Sequence, residues 1–224
     1  MQSPDAVAVL DPKQEDCAYP YKELCGCGVG FKLIQALHET RKGAFQDLVP
    51  YLDLVATAIG ADIVPVTGEN RVLAHFGLKI LNSNPRPGIR ALVQQVNPKK
   101  ELSLTDVSFL IAPRINAAGR MKHGLHAVEL LMETDEERAR QMATTIEQHN
   151  AERRDADRSI TEEALALIEA AGEQERFTTV VYKEDWHKGV IGIVASRLTE
   201  TYYRPTLVFT RSGDRLAASA RSVA

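Results

Sequence analysis

Four places in this chain combine residue types that could handle a phosphorylated ligand. Residues 111–121, Ile-Ala-Pro-Arg-Ile-Asn-Ala-Ala-Gly-Arg-Met, set Arg114, Asn116 and Arg120 among small or apolar neighbours. Small residues let a large ligand approach the backbone. Guanidinium forks match phosphate geometry, so two arginines six apart could reach one polyanion. The same stretch also fits a turn into a helix with two surface arginines, because basic pairs often simply face solvent. Asp62 lies in Val-Ala-Thr-Ala-Ile-Gly-Ala-Asp-Ile-Val-Pro-Val. A carboxylate among apolar residues is costly unless it is paired, hydrogen-bonded or on a metal. Asp62 therefore reads as a metal ligand from a buried element, or as a capping or turn aspartate. Asp53, in Tyr-Leu-Asp-Leu-Val, is a second candidate of the same kind. Hydrolysis by two metals needs several ligands around ions about 4 Å apart, and this sequence does not assemble them.

The third place is Trp186-His-Lys-Gly-Val-Ile-Gly192, which leaves a strand and opens a helix. Glycines there expose backbone N–H groups, and a helix N-terminus attracts anions. His187 and Lys188 add donors, and Ser196 and Arg197 follow about two turns along. The plain alternative is a strand–helix turn with a solvent lysine. The fourth is Ser219-Ala-Arg221. Strand alternation puts Ser219 and Arg221 on one face, where a hydroxyl and a guanidinium could cradle a terminal phosphate. An exposed edge strand is the alternative.

These groups need elements to position them. Residues 6–10 read as a short buried strand, and Tyr19-Pro20 and 26–30 as loops. Helices are expected over 31–39, 45–59, 67–81 and 89–96, with Asn82 as a stop and 97–105 as a polar loop. A helix over 124–132 follows the arginine segment. Thr134-x-x-Glu137 has the form of a capping box, and the helical pattern then runs to Ala171 before Gly172. Its middle, 147–159, is polar almost all round, which suits a helix bridging two domains through solvent. Unbroken, such a helix would run about 55 Å. Strands over 177–182, 206–210 and 216–222, with a helix over 190–202 and a turn at Ser212-Gly-Asp, make a second unit. Its strand–helix–strand order predicts a parallel, right-handed crossover.

Bulk properties narrow the class. A chain of 224 residues has room for one large or two small domains. The net charge is −3, so any site for a polyanion must be a local concentration of arginines rather than a basic surface. Three cysteines, Cys17, Cys25 and Cys27, make neither a disulfide framework nor a zinc set, and read as reduced thiols of a cytoplasmic protein. No apolar run reaches the roughly 18 residues that span a membrane, and no secretory signal opens the chain. Both ends read as cut, as in a piece of a longer protein.

Taken together the residues resemble the RecJ family, single-strand-specific 5′→3′ DNA exonucleases of the DHH phosphoesterase superfamily. The matching stretches are Asp53-Leu-Val-Ala, Ala61-Asp-Ile-Val-Pro, Gly68-Glu-Asn-Arg, Ala112-Pro-Arg-Ile-Asn-Ala-Ala-Gly-Arg, His187-Lys-Gly-Val-Ile-Gly-Ile-Val-Ala-Ser-Arg, Tyr203-Arg-Pro and Ser219-Ala-Arg-Ser. Their order and spacing fit along nearly the whole chain. The resemblance implies an α/β fold of two lobes joined by a long helix. Residues 1–125 would be the mostly helical C-terminal part of the DHH catalytic domain and 126–172 the interdomain helix. Residues 173–224 would be the N-terminal part of the DHH-associated nucleic-acid-binding domain. It further implies single-stranded DNA as ligand, Mn²⁺ or Mg²⁺ as cofactor and a role in repair and recombination.

By position, Asp62 matches a metal aspartate of the catalytic lobe. Arg120, with Arg114 and Asn116 nearby, matches a clamp on the strand; Arg120 is the expected direct contact, and Arg114 reads as a second contact or as a structural residue. Ser219 and Arg221 match a 5′-phosphate pocket, and His187 a histidine facing the metal centre. The family's early aspartate motif, its Asp-His-His triplet and its Gly-Gly-His motif are not in this sequence. Around Asp62 the family's Gly-Thr before Ile/Val-Ala-Asp is replaced by Ala58-Ile-Gly-Ala. The chain alone is therefore expected to be inactive. Two other readings stay open: a non-catalytic RecJ-like scaffold for nucleic acid, and a DHH phosphoesterase on short oligonucleotides.

Overall fold

A computed structural model describes residues 5–223. The elements run α1 (Gly26–Thr40), a 3-10 stretch (Phe45–Tyr51), α2 (Leu52–Asp62), α3 (Gly68–Ser83), α4 (Pro87–Val96), the single turn α5 (Leu104–Asp106), a π-helical stretch (Val107–Ile111), α6 (Ala112–Met121), α7 (Leu125–Met132) and the 35-residue α8 (Glu136–Ala170). β1 (Thr179–Tyr182), α9 (Ile191–Tyr202), β2 (Thr206–Ser212) and β3 (Arg215–Arg221) complete the chain. The protein is a mostly helical α/β molecule with a small mixed sheet. It forms two compact units. One comprises the chain through Asn116 together with His126–Thr145, and the other Ala117–Leu125 together with Ile146 onward. The division thus falls inside α6, after the first residue of α7 and inside α8.

The first unit is helical. Its core gathers Phe31 of α1, Leu48, Leu52, Val55 and Ile59 around α2, and Ala74 of α3. α2 and α3 pack closely at Gly77, where an added Cβ would lie 2.2 Å from the Leu52 carbonyl oxygen. The helix α1 begins five residues before expectation. Cys25 caps it, its Sγ accepting the Gly28 N–H at 3.3 Å, so the glycines of 26–30 are helical rather than a loop. Pro50 accounts for the 3-10 lead-in to α2, because it lacks the N–H an α-turn would use. Residues 6–10 form no strand; Val7, Val9 and Leu10 are exposed. Among the described residues no strand pairs with this segment, and a lone strand leaves its backbone groups to water. The start of α8 is also shifted. Asp135, not Thr134, accepts the Arg138 N–H at 2.8 Å, while the Glu133 carboxylate takes the Thr134 and Asp135 N–H groups.

The second unit is the expected strand–helix–strand arrangement. β1 runs parallel to β2 with Val181 opposite Val208, and β3 returns antiparallel with Ser219 opposite Val208. α9 joins the parallel pair. Its Val194 and Leu198 pack with Val181, Val208, Trp186 and α8 residues Ile160, Ala164 and Ile168. Arg204 fixes the entry to β2: it is buried, donates to the Thr179 hydroxyl at 2.7 Å, and satisfies the carbonyls of Glu173, Gln174 and Arg176. The polar middle of α8 is not solvated all round. His149, Asn150 and Asp157 are buried. Asp157 is held by a two-pronged contact from Arg197 at 2.8–2.9 Å, and Asn150 accepts from Arg153. Polar residues can face inward when they find charged partners, as Asn150 and Asp157 do, a possibility that a count of polar residues overlooks.

Candidate nucleic-acid interface

The expected ligands meet best in the second unit. There the end of α6, the loop before α9, the first turn of α9 and β3 surround a cleft of about 570 Å³. Arg120 and Lys122 line it from one segment, His187 and Lys188 from the loop, and Ser219 and Arg221 from β3. Four of these, Arg120, Lys122, Lys188 and Arg221, are cations, and none of the lining residues is a carboxylate.

Each wall has a local cause. Arg120 donates to the Gly189 carbonyl at 3.3 Å. A Cβ on Gly189 would lie 2.1 Å from the Arg120 carbonyl, so only glycine permits that approach. The Gly189 N–H donates to His187 Nδ1 at 3.1 Å, which leaves Nε2 as the protonated, donating nitrogen of a neutral ring. No side chain caps α9; its Ile191 N–H turns back to the His187 carbonyl at 3.3 Å and its Ile193 N–H to that of Val190 at 2.8 Å, which leaves the Gly192 N–H between them as the candidate donor. The strand alternation places Ser219 and Arg221 together as expected. Arg221 donates from Nε to Ser196 Oγ at 3.1 Å and from Nη1 to Ser219 Oγ at 3.4 Å. A Cβ at Gly192 would meet Ser219 Oγ at 3.1 Å, so that glycine keeps the β3 side of the cleft open. Positive charge continues behind the cleft. Burial pulls the Arg153 guanidinium down; the Asp157 charge opposes this, and the Arg120, Arg154 and Arg197 charges add to it.

The other sequence candidates separate from this group. Arg114 and Arg120 both stand on α6, but six helical residues turn them about 120° apart. Arg114 is half-buried in the first unit, its guanidinium donating to the Leu110 carbonyl; Asn116 is exposed. Asp62 is exposed at the last position of α2, and Ile63 ends the helix in a left-handed conformation with φ of 53°. The buried carboxylate is Asp53 instead. Its oxygens accept from Arg86 Nε and Nη2 at 2.9–3.1 Å and from two backbone N–H groups, so it is a structural ion pair and not a metal ligand. Among the described residues no three His, Cys, Asp or Glu side chains are grouped to hold a metal ion. Asp62 alone does not fit one.

Sequence reasoning left out Lys122 and Arg153 as contributors. Lys122 had a signal, standing two residues beyond Arg120. Arg153 had none, since nothing in the polar run of α8 marks which arginine turns inward.

The cleft of this α/β unit thus gathers four cations and no carboxylate beside the start of a helix. No protein-family model matches the chain. Over 98% of its length it is 40% identical to the single-stranded-DNA-specific exonuclease RecJ of Bacillus subtilis, of which it spans 28%. It is 36% identical over 98% of its length to the RecJ exonuclease of Escherichia coli, of which it spans 41%. A crystal structure of RecJ in complex with Mn²⁺ from Thermus thermophilus matches with a TM-score of 0.81 and 31% identity, covering 94% of this chain and 30% of that one. The corresponding complex with Mg²⁺ matches with a TM-score of 0.80. By sequence and by structure the chain is RecJ-like and corresponds to a part of a RecJ protein. It spans well under half the length of these relatives. Among the described residues no helix is long and apolar enough to cross a membrane.

Proposed function

We propose that this chain is the strand-gripping part of a metal-dependent exonuclease that degrades single-stranded DNA from its 5′ end in repair and recombination. The observation that carries the reading is the cleft of the second unit: four cations without a carboxylate, in a chain of net charge −3. Arg120, Lys122 and Lys188 neutralise backbone phosphates, a contact that needs no base readout. Ser219, Arg221 and the Gly192 N–H at the start of α9 receive the terminal 5′-phosphate, and His187 donates from Nε2 beside it. Arg114 supports α6, and Asn116 stands exposed on that helix as a further polar contact. The first unit takes the place of the DHH-type catalytic lobe and contributes Asp62 to its Mn²⁺ or Mg²⁺ site. The second unit takes the place of the DHH-associated lobe. Since Asp62 belongs to no group of three or more possible metal ligands among the described residues, binding is the function assigned to this chain alone, and hydrolysis to the whole protein.

The test is the salt dependence of binding. Each phosphate contact on a single strand contributes about 0.7 to the slope of log K against log salt. Arg120→Ala should weaken binding of a single-stranded oligonucleotide and flatten that slope by roughly one contact. An unchanged slope would remove Arg120 from the interface.

A further inference from the structure

The cleft is shaped by a residue that does not line it. Glu163, on α8, accepts two hydrogen bonds at one oxygen: from Lys183 Nζ at 2.7 Å and from Trp186 Nε1 at 2.9 Å. Lys183 and Trp186 bracket the start of the loop that continues as His187, Lys188 and Gly189. We propose that Glu163 is a positioning residue for the phosphate cleft, acting through the Trp186 indole to set the His187–Gly189 wall and, through it, Arg120.

Each link is visible in the second unit. Trp186 is only 4% exposed and belongs to the core, so its indole N–H needs an acceptor inside the protein. Glu163 supplies it. The Lys183 and Trp186 hydrogen bonds together hold the Glu163 carboxyl below the usual carboxylate range, so the acceptor stays ionised. From the other side, the buried Thr210 hydroxyl donates to the Trp186 carbonyl at 2.6 Å and to that of Glu184 at 3.3 Å. The indole and the backbone of residue 186 are thus tied independently. The three residues that follow form one wall of the cleft, and Gly189 lies against Arg120 with no room for a side chain. The Lys183 contact alone would matter little, since both partners are about two-fifths exposed. The indole bond is the one that transmits position.

This inference rests on the cleft reading above, and the experiment separates the two. The readouts are the affinities of the 224-residue chain for a single-stranded oligonucleotide with and without a 5′-phosphate, and the emission of Trp186, the chain's single tryptophan. Glu163→Ala should lower the affinity for the phosphorylated strand about tenfold, the scale of one buried group left unpaired, and shift the emission to the red. Glu163→Gln keeps an acceptor oxygen and should restore both. Trp186→Phe keeps the packing, loses the N–H and should reproduce the affinity loss, with no further loss when combined with Glu163→Ala. The proposal is overturned if Glu163→Ala shifts the emission yet keeps full preference for the 5′-phosphate, or if Glu163→Gln falls as far as Glu163→Ala. A wild-type chain with no preference for the phosphorylated strand overturns the cleft reading itself, and the inference with it. Should Glu163→Ala fail to fold, Trp186→Phe decides alone: an unchanged preference there sinks the proposal.

Discussion

Two aspartates nine residues apart on α2 show how much a side chain's role depends on where the helix ends and what faces it. Both sit among apolar neighbours in the sequence, and Asp62 there reads as the buried one. In the structure Asp53 is fully buried and Asp62 exposed. The partner that explains Asp53 is Arg86, 33 residues away on the approach to α4, and no local pattern announces that pairing. Removing one member of a buried ion pair leaves the other charge uncompensated, at a cost of about 3 kcal/mol. Asp53→Asn should therefore lower the unfolding free energy by about that amount, whereas Asp62→Asn should change it by less than about 0.5 kcal/mol, as for most surface positions. Denaturant titration of both variants checks this; equal effects would refute the division of roles. The cleft residues were more legible. Period-two alternation put Ser219 and Arg221 on one face, and a strand–glycine–helix pattern marked residues 187–192. What the sequence could not convey was the second layer, Ser196 under Arg221 and Glu163 under Trp186, because those contacts join residues brought together only by the fold.

At the scale of elements, existence was easier to read than limits. The long apolar periodicities of α2, α3 and α9 and the β-branched runs of β1 and β2 carry strong signals. The start of α1 did not, because a cysteine serves there in the capping role usually filled by Ser, Thr, Asp or Asn. The segment 6–10 failed in the other direction: strand-like residues without a strand beside them. The π-helical stretch before α6 also had no advance sign, and neither did the close approach of α2 to α3. Gly77 makes that approach possible. An alanine gains about 1 kcal/mol in helix propensity over glycine, yet its Cβ would meet a backbone carbonyl at 2.2 Å. Overpacking of this kind costs about 1–3 kcal/mol. Gly77→Ala should come out destabilising by thermal or denaturant unfolding. A stabilised variant would mean that the two helices move apart freely, contrary to the packing described.

For the whole molecule, the grip and the chemistry are unevenly held. The cleft lies entirely in the second unit, while Asp62 lies in the first and, among the described residues, in no group of three or more possible metal ligands. Phosphodiester hydrolysis by paired metals needs several fixed ligands. The purified chain, given Mn²⁺ and a 5′-phosphorylated single strand, is expected to bind the strand and leave it uncut. Release of nucleotides that disappears in Asp62→Asn would show the opposite. Charge distribution carries one more consequence. With −3 overall and four cations in the cleft, the remainder of the chain has a net charge of −7. On the reading proposed above, a nucleic acid drifting toward this protein meets a remainder of net negative charge and a cleft of positive charge. At low ionic strength the approach itself is filtered by direction before any side chain makes contact. Raising the salt would then blunt both the attraction and the filter, so that capture becomes slower and also less choosy about where the strand first lands.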